Sequence, residues 1–199
     1  MSREIELKVP LSEEQFDRIQ KILTQNQLSS IKMHGLSHIF KSDEYYSRYH
    51  THEERIKNKE LRVIRIRTER EGQNDGQGEK SYFCIKRKTI ENGIEFNSEK
   101  ETFVEDADVL RDFFAATGYI KWFEKTKDAL SVFCSLTSQP DFEAHLELEK
   151  VNSLPYIEIE YTKDDLPPDQ VRAGLEQILL ALDLDPKKRD SRSWAEILS

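Results

Sequence analysis

Cysteine is nearly absent from the 199 residues: Cys84 and Cys134 lie far apart in apolar surroundings, with no CxxC spacing. That removes a disulfide framework and a thiolate zinc site, and it points to a reducing compartment. No apolar run approaches the roughly 18 residues that suggest a spanning helix. The opening Met1-Ser2-Arg3-Glu4 lacks the basic patch and greasy stretch of a secretion signal. A cytoplasmic protein that neither spans a membrane nor is secreted is therefore expected. With 7 Gly and 6 Pro there are no long linkers, low-complexity tracts or internal repeats. Positive charge is in deficit as well, 30 Lys and Arg against 38 Asp and Glu, for a net charge of -8. Such a surface repels nucleic acid and acidic membranes, so an extended nucleic-acid groove is excluded while a local basic pocket is not.

What is present is enough for a real core. Ten Phe, seven Tyr and two Trp in a chain of this length predict one domain over residues 1–199. Three segments carry an amphipathic helical pattern. The first follows Pro10, with Ser12 as cap, Gln15 in capping-box spacing, and Phe16, Ile19, Ile22 and Leu23 on one stripe. The second runs from about Asp106 through Val109, Leu110, Phe113 and Phe114 to a stop at Gly118. The third runs from Pro167 through Val171, Leu175, Ile178, Leu179 and Leu182. Each has one apolar face that must lie against something. Tyr49 to Lys59 and the Gly-rich Arg70 to Ser81 read as loops.

The remaining segments alternate with period two, and one face of each is charged. Glu4, Glu6 and Lys8 stand opposite Ile5, Leu7 and Val9. The same pattern holds for Arg65 and Arg67, for Lys86 and Lys88, for Glu99 and Glu101, and for Lys125 and Lys127. It recurs in His145, Glu147 and Glu149, and in Glu158 and Glu160 opposite Ile157 and Ile159. Taken singly, each is a strand with a solvated outer face. Taken together they set strips of like charge side by side, which is unfavourable unless opposite strips pair across strands. If the helices cover the apolar faces, the charged faces turn toward one another. The expected fold is thus α+β, an eight-stranded antiparallel barrel with helices outside. A lumen of that size takes side chains or one small ligand. Buried charges of both signs cost several kcal/mol each unless paired or solvated, so this lumen suits water, metal and a highly charged ligand.

These segments resemble the CYTH superfamily, the triphosphate tunnel metalloenzymes, which include class IV adenylate cyclases, thiamine triphosphatases and inorganic triphosphatases. Glu4-x-Glu6-x-Lys8 is similar to the ExExK signature, Asp43-Glu44-Tyr45-Tyr46 to D-x-Y-Y, and Val63-Ile64-Arg65-Ile66-Arg67 to the L-R-I-R strand. Cys84-Ile85-Lys86 resembles the strand with a phosphate-binding lysine, Glu99-Lys100-Glu101 the middle E-x-E, and Tyr156 to Glu160 the late F-x-E-I-E. Ser191 to Leu198 resembles the closing S-Y-x-x-L-L, with Trp194 for Tyr. The match is in order over nearly the whole chain. It departs at Lys125-Thr126-Lys127, where Lys-x-Arg is usual, so a bidentate grip becomes two point charges. It departs again where a Gly is replaced near Pro155, and where the acidic residue before the late strand is Glu149 or Glu147. Glu149 is favoured because Val151 then keeps register.

The resemblance implies metal ligation by Glu4, Glu6, Glu149, Glu158 and Glu160, with Mg2+ or Mn2+ as the ion. It implies phosphate binding and catalysis by Lys8, Arg65, Arg67 and Lys86, and further substrate contacts from Lys125, Lys127 and Arg192. Oxygen-only ligands favour those ions over zinc on chemistry alone. The implied substrate is a small-molecule triphosphate, namely tripolyphosphate, thiamine triphosphate or ATP, handled by a monomer or homodimer. Hydrolysis is the main expectation, with cyclisation of ATP and binding without turnover as alternatives. Other motifs carry less. Gly78-Glu79-Lys80-Ser81 has an extra Glu for a P-loop and no apolar helix after it. His50 and His52 beside Glu53 and Glu54 read as a solvated loop, and no Ser or Cys shows a base partner.

Overall fold

The computed structural model describes residues 2–26, 28–60, 62–72, 78–91, 94–163 and 165–198. Eight antiparallel strands close into a barrel: β1 Ser2–Pro10, β2 Ile31–Ser47, β3 Arg62–Glu71, β4 Lys80–Glu91, β5 Ile94–Val104, β6 Ile120–Leu136, β7 Gln139–Val151 and β8 Leu154–Tyr161. Their order around the barrel is β1-β5-β4-β3-β2-β6-β7-β8. The expected antiparallel barrel is therefore present.

Helices α1 Glu13–Gln25 and α4 Pro168–Ala181 pack on the outside. They bury the apolar faces that alternation marked. Ile5, Leu7, Val9, Ile157 and Ile159 join Ile19, Leu175, Ile178 and Leu179 in one core that lies between barrel and helices. Each fully buried aliphatic side chain there contributes roughly 1.5–3 kcal/mol. Helix α3 Ala107–Ala116 seats Phe114 on Tyr46 and Ile66 in a smaller cluster. The helix ends follow the sequence signals. Ser12 and Gln15 form the capping box, and Gly118, with φ +79°, takes the left-handed position just past α3. Among the described residues no helix is long and apolar enough to cross a membrane.

Two expectations need correction, both on loops, and two strands are longer than their motifs. Tyr49 to Lys59 is not all loop, since it contains the short helix α2 His52–Lys57, capped by Thr51. Its sequence is charged and lacks an apolar stripe, which hid it. Strands β2 and β6 run for 17 residues each, far beyond the short motifs that marked them. Register shifts between His34 and Ser37 and between Tyr45 and Tyr46 break their alternation, as bulges do. The Arg70 to Ser81 loop is shorter than read, because β3 reaches Glu71 and β4 starts at Lys80; residues 73–77 lie outside the described residues. Where the sequence lacks the expected glycine, β7 and β8 are joined by Asn152 and Ser153, both at positive φ, 46° and 76°. The Asn152 side chain accepts from the Thr126 backbone N–H at 2.8 Å and so holds the turn.

Gly174 in α4 is a packing residue. A Cβ there would lie 2.5–2.7 Å from the Phe142 ring, which is itself stacked on Tyr161 at 4.8 Å. Exchanging Gly for Ala within a helix normally stabilises by about 1 kcal/mol. Gly174→Ala is instead expected to destabilise by about 1–2 kcal/mol, because overpacking costs more than propensity returns. Urea unfolding checks this, and a gain in stability would show that Phe142 has room to move.

Candidate active site

The inward positions of the strands line a cavity of about 740 Å3, bordered by Glu4, Glu6, Lys8, Arg65, Arg67, Lys86, Lys125, Lys127, Glu158 and Glu160. Residues read from separate strands thus meet in one lumen, and the cavity has the size of an ordinary ligand site.

One wall is organised by Asp43 of β2, which is fully buried. Its carboxylate accepts two hydrogen bonds from Arg67, from Nε at 2.7 Å and Nη2 at 3.1 Å. Lys125 lies at 2.9 Å and Arg65 at 3.8 Å. Although burial opposes ionisation, these cations hold the Asp43 carboxyl well below its usual range. Lys125 is pushed down to about 7 by burial, with Lys127 and Arg67 repelling its charge and Asp43 opposing. The shared carboxylate gives its best geometry to Arg67, and Lys125 receives the remainder.

Beside this wall Arg65 donates to Glu99 at 2.9 Å, and the Cys84 thiol donates to the same oxygen. Burial pushes the Cys84 thiol up to about 12, so it stays protonated. Glu99 is held down to about 2, burial being outweighed by Arg65 and Lys86. Lys86 also reaches Glu6 at 3.3 Å.

The opposite wall is crowded with carboxylates. Glu147, Glu149 and Glu158 present oxygens within 4.8 Å of one another. The Lys127 ammonium sits among them, paired with Glu158 and 2.6 Å from Glu149. Burial, together with Glu158 and Glu147, pushes Glu149 up to about 8, and neither of its oxygens has a hydrogen bond. Of the two carboxylates that the sequence left open, Glu147 borders the cavity, while Glu149 is wholly buried beneath it. Glu4 is pushed up to about 7 by burial first and by Glu160, Glu99 and Glu6 next, against Lys86. Carboxylates this crowded, two of them holding protons near neutrality and one without hydrogen bonds, are what a divalent cation would relieve. The donor set fits Mg2+ or Mn2+. A second group, Cys84, Glu99 and Glu101, also lies within ligating distance, but its protonated thiol and the adjoining Arg65 disfavour a cation.

One end of the cavity is roofed by the C-terminal segment. Trp194 begins α5 Trp194–Ile197, donates its indole N–H to Glu158 at 3.0 Å and sets its ring 4.7 Å from the Lys8 ammonium. Lys8 in turn donates to the Arg192 carbonyl at 2.7 Å. Arg192 reaches the cavity border, but its guanidinium is 60% exposed and forks onto Asp190. Part of the cavity border is aromatic and apolar, with Ile56, Val63, Trp122 and Phe123. His52 lies nearly parallel to Trp122 at 6.3 Å, so it belongs to the cavity border and not to a solvated loop. Sequence reading also missed Lys41, which borders the cavity and pairs with Glu147. It stands two positions before Asp43, and period two extended back along β2 would have found it.

No family model and no curated protein matches the sequence. Solved structures do. The PH1819 protein of Pyrococcus horikoshii OT3 superposes with a TM-score of 0.71 at 21% identity, covering 98% of this chain and 97% of that one. The chain has the fold of that structure, a closed tunnel of eight antiparallel strands with helices outside. A candidate adenylate cyclase from Vibrio parahaemolyticus shares it, with a TM-score of 0.65, 16% identity, and 98% and 97% of the two chains covered. So does HpAC1 of Hippeastrum, a candidate adenylyl cyclase whose dominant activity is that of a triphosphatase, with a TM-score of 0.58, 14% identity, and 99% and 94% covered. At these identities the likeness is one of tunnel architecture.

Proposed function

We propose that this tunnel binds a small-molecule triphosphate with Mg2+ or Mn2+ and hydrolyses it by in-line attack of water on the terminal phosphorus. The observation that carries the reading is the closed lumen in which Lys8, Arg65, Arg67, Lys86, Lys125 and Lys127 face Glu4, Glu6, Glu147, Glu158 and Glu160. A polyanion exchanges for the internal carboxylates on one wall, and a dication suits the other. Glu4, Glu6, Glu158 and Glu160, with Glu147 and Glu149, would hold the ion, which when bound neutralises phosphate oxygens and polarises the bond under attack. The Arg65 and Arg67 forks orient the nonbridging oxygens, and the lysines add point charges around them. Incubation with tripolyphosphate, thiamine triphosphate and ATP, each with Mg2+ or Mn2+, and identification of the products tests the proposal. Release of inorganic phosphate supports it, and binding without turnover removes it.

The aromatic border favours a second reading, in which an organic triphosphate such as ATP is the substrate, its 3'-hydroxyl attacks the α-phosphorus, and the α–β phosphoanhydride bond breaks to release pyrophosphate. Cyclic AMP in the same product assay would select it.

Arg67 separates binding from chemistry. Its fork is already formed on Asp43, and Lys in its place keeps the charge but loses the fork. Arg67→Lys is expected to lower turnover by on the order of 2 kcal/mol, about 30-fold, with a smaller rise in the dissociation constant for tripolyphosphate. Steady-state kinetics with calorimetric titration read both, and unchanged kinetics would take Arg67 out of the site.

A further inference from the structure

Three adjacent strands place Ser131 of β6, His145 of β7 and Glu160 of β8 in one hydrogen-bonded row. Ser131 Oγ lies 2.7 Å from His145 Nε2, and His145 Nδ1 lies 2.9 Å from Glu160 Oε1. A carboxylate only accepts, so Nδ1 carries the proton on the Glu160 side. The Phe133 ring packs on the imidazole at 5.1 Å, which limits its rotation. Glu147 comes within 4.0 Å of Nε2, so the imidazole stands between a carboxylate of the Glu147, Glu149 and Glu158 cluster and Glu160, the neighbour of Glu4.

The row has the form of a nucleophile with its base, yet it cannot act as one. Ser131 is 6% exposed and does not border the cavity, whereas His145 and Glu160 do. The Ser131 hydroxyl is therefore set back behind His145, away from the space that a substrate in the lumen would fill. What the row does is fix one carboxylate: Ser131 sets the imidazole, and the imidazole occupies one Glu160 oxygen, leaving the other for a cation.

We propose that Ser131 and His145 are positioning residues that hold Glu160 for a divalent cation. This rests on the metal-binding reading above. The test is Mn2+ binding, followed by electron paramagnetic resonance of the free ion, in wild type and in Glu160→Gln, His145→Phe, His145→Asn and Ser131→Ala. Losing the partner of a ligand typically weakens a metal ten- to a hundredfold, so His145→Phe should lose about that much. Ser131→Ala, which removes only the outer link, should lose about threefold and gives a mild variant if the larger change unfolds the barrel. His145→Asn, whose amide N–H reaches where Nδ1–H stood, should recover most of the affinity; a merely structural histidine predicts no such rescue. Wild-type affinity in His145→Phe alongside weakened binding in Glu160→Gln overturns the relay alone. Wild-type affinity in Glu160→Gln overturns the metal assignment of Glu160, and the relay with it.

Discussion

Asp43→Asn is expected to destabilise the protein by roughly 3–5 kcal/mol, the cost of breaking a buried ionic cluster from one side. The side chain is fully buried, and it holds Arg67 through two hydrogen bonds, Lys125 at 2.9 Å and Arg65 at 3.8 Å. Asparagine keeps the shape and removes the charge, so three neighbouring cations repel one another in a site that water barely reaches. The response to pH has a definite sign. In the wild type Lys125 titrates near 7 when folded and near 10.4 when unfolded. Between those values the unfolded chain carries a proton that the native state lacks, so this residue makes stability rise with pH. Without Asp43 the folded Lys125 should titrate lower still, and the rise should begin at lower pH. Tripolyphosphate, which brings anionic charge to the same cations, should recover more stability in the variant than in wild type. Thermal melts at several pH values, with and without tripolyphosphate, check both points. An Asp43→Asn protein as stable as wild type would mean that these cations are solvated and that no organising anion is needed.

Asp43 also marks where the sequence stopped being informative. β1 was legible because Glu4 to Val9 alternates without interruption, and α1 because its capping box spells out its start. The charged lumen followed from the same alternation in several strands, since helices with one apolar face leave the charged faces only the inside. What alternation cannot show is which charges become neighbours across strands. The pairing of Asp43 with Lys125 depends on a β2–β6 register interrupted by bulges. Likewise His145 was visible as a member of a charged row, but its partners Ser131 and Glu160 stand on the two flanking strands. The nearness of Lys127 to Glu149 is of the same kind. The sequence marked it as a phosphate ligand, and the structure surrounds it with carboxylates.

That surrounding makes Glu149 the other position of large expected effect. Its oxygens are buried without hydrogen bonds, and its carboxyl is pushed up to about 8 by burial, Glu158 and Glu147. Between an unfolded value near 4.3 and 8 the native state holds a proton that the unfolded chain has released, so this residue makes stability fall as pH rises through that window. Glu149→Gln removes the penalty. In the absence of metal it should match the wild type near pH 4 and exceed it by on the order of 3–5 kcal/mol at pH 8 and above, the linkage cost of a carboxyl that titrates near 8 when folded, even beside Lys127, and near 4.3 when unfolded. A divalent ion should reverse the ranking: because the cation competes with the proton, Mn2+ raises the wild-type melting temperature more at pH 8 than at pH 5, and raises that of Glu149→Gln little at either. The two melting curves, taken at pH 5 and pH 8 with and without Mn2+, separate the causes. Equal Mn2+ shifts in both proteins would leave Glu149 as a buried partner of Lys127 and assign metal binding to the carboxylates that border the cavity.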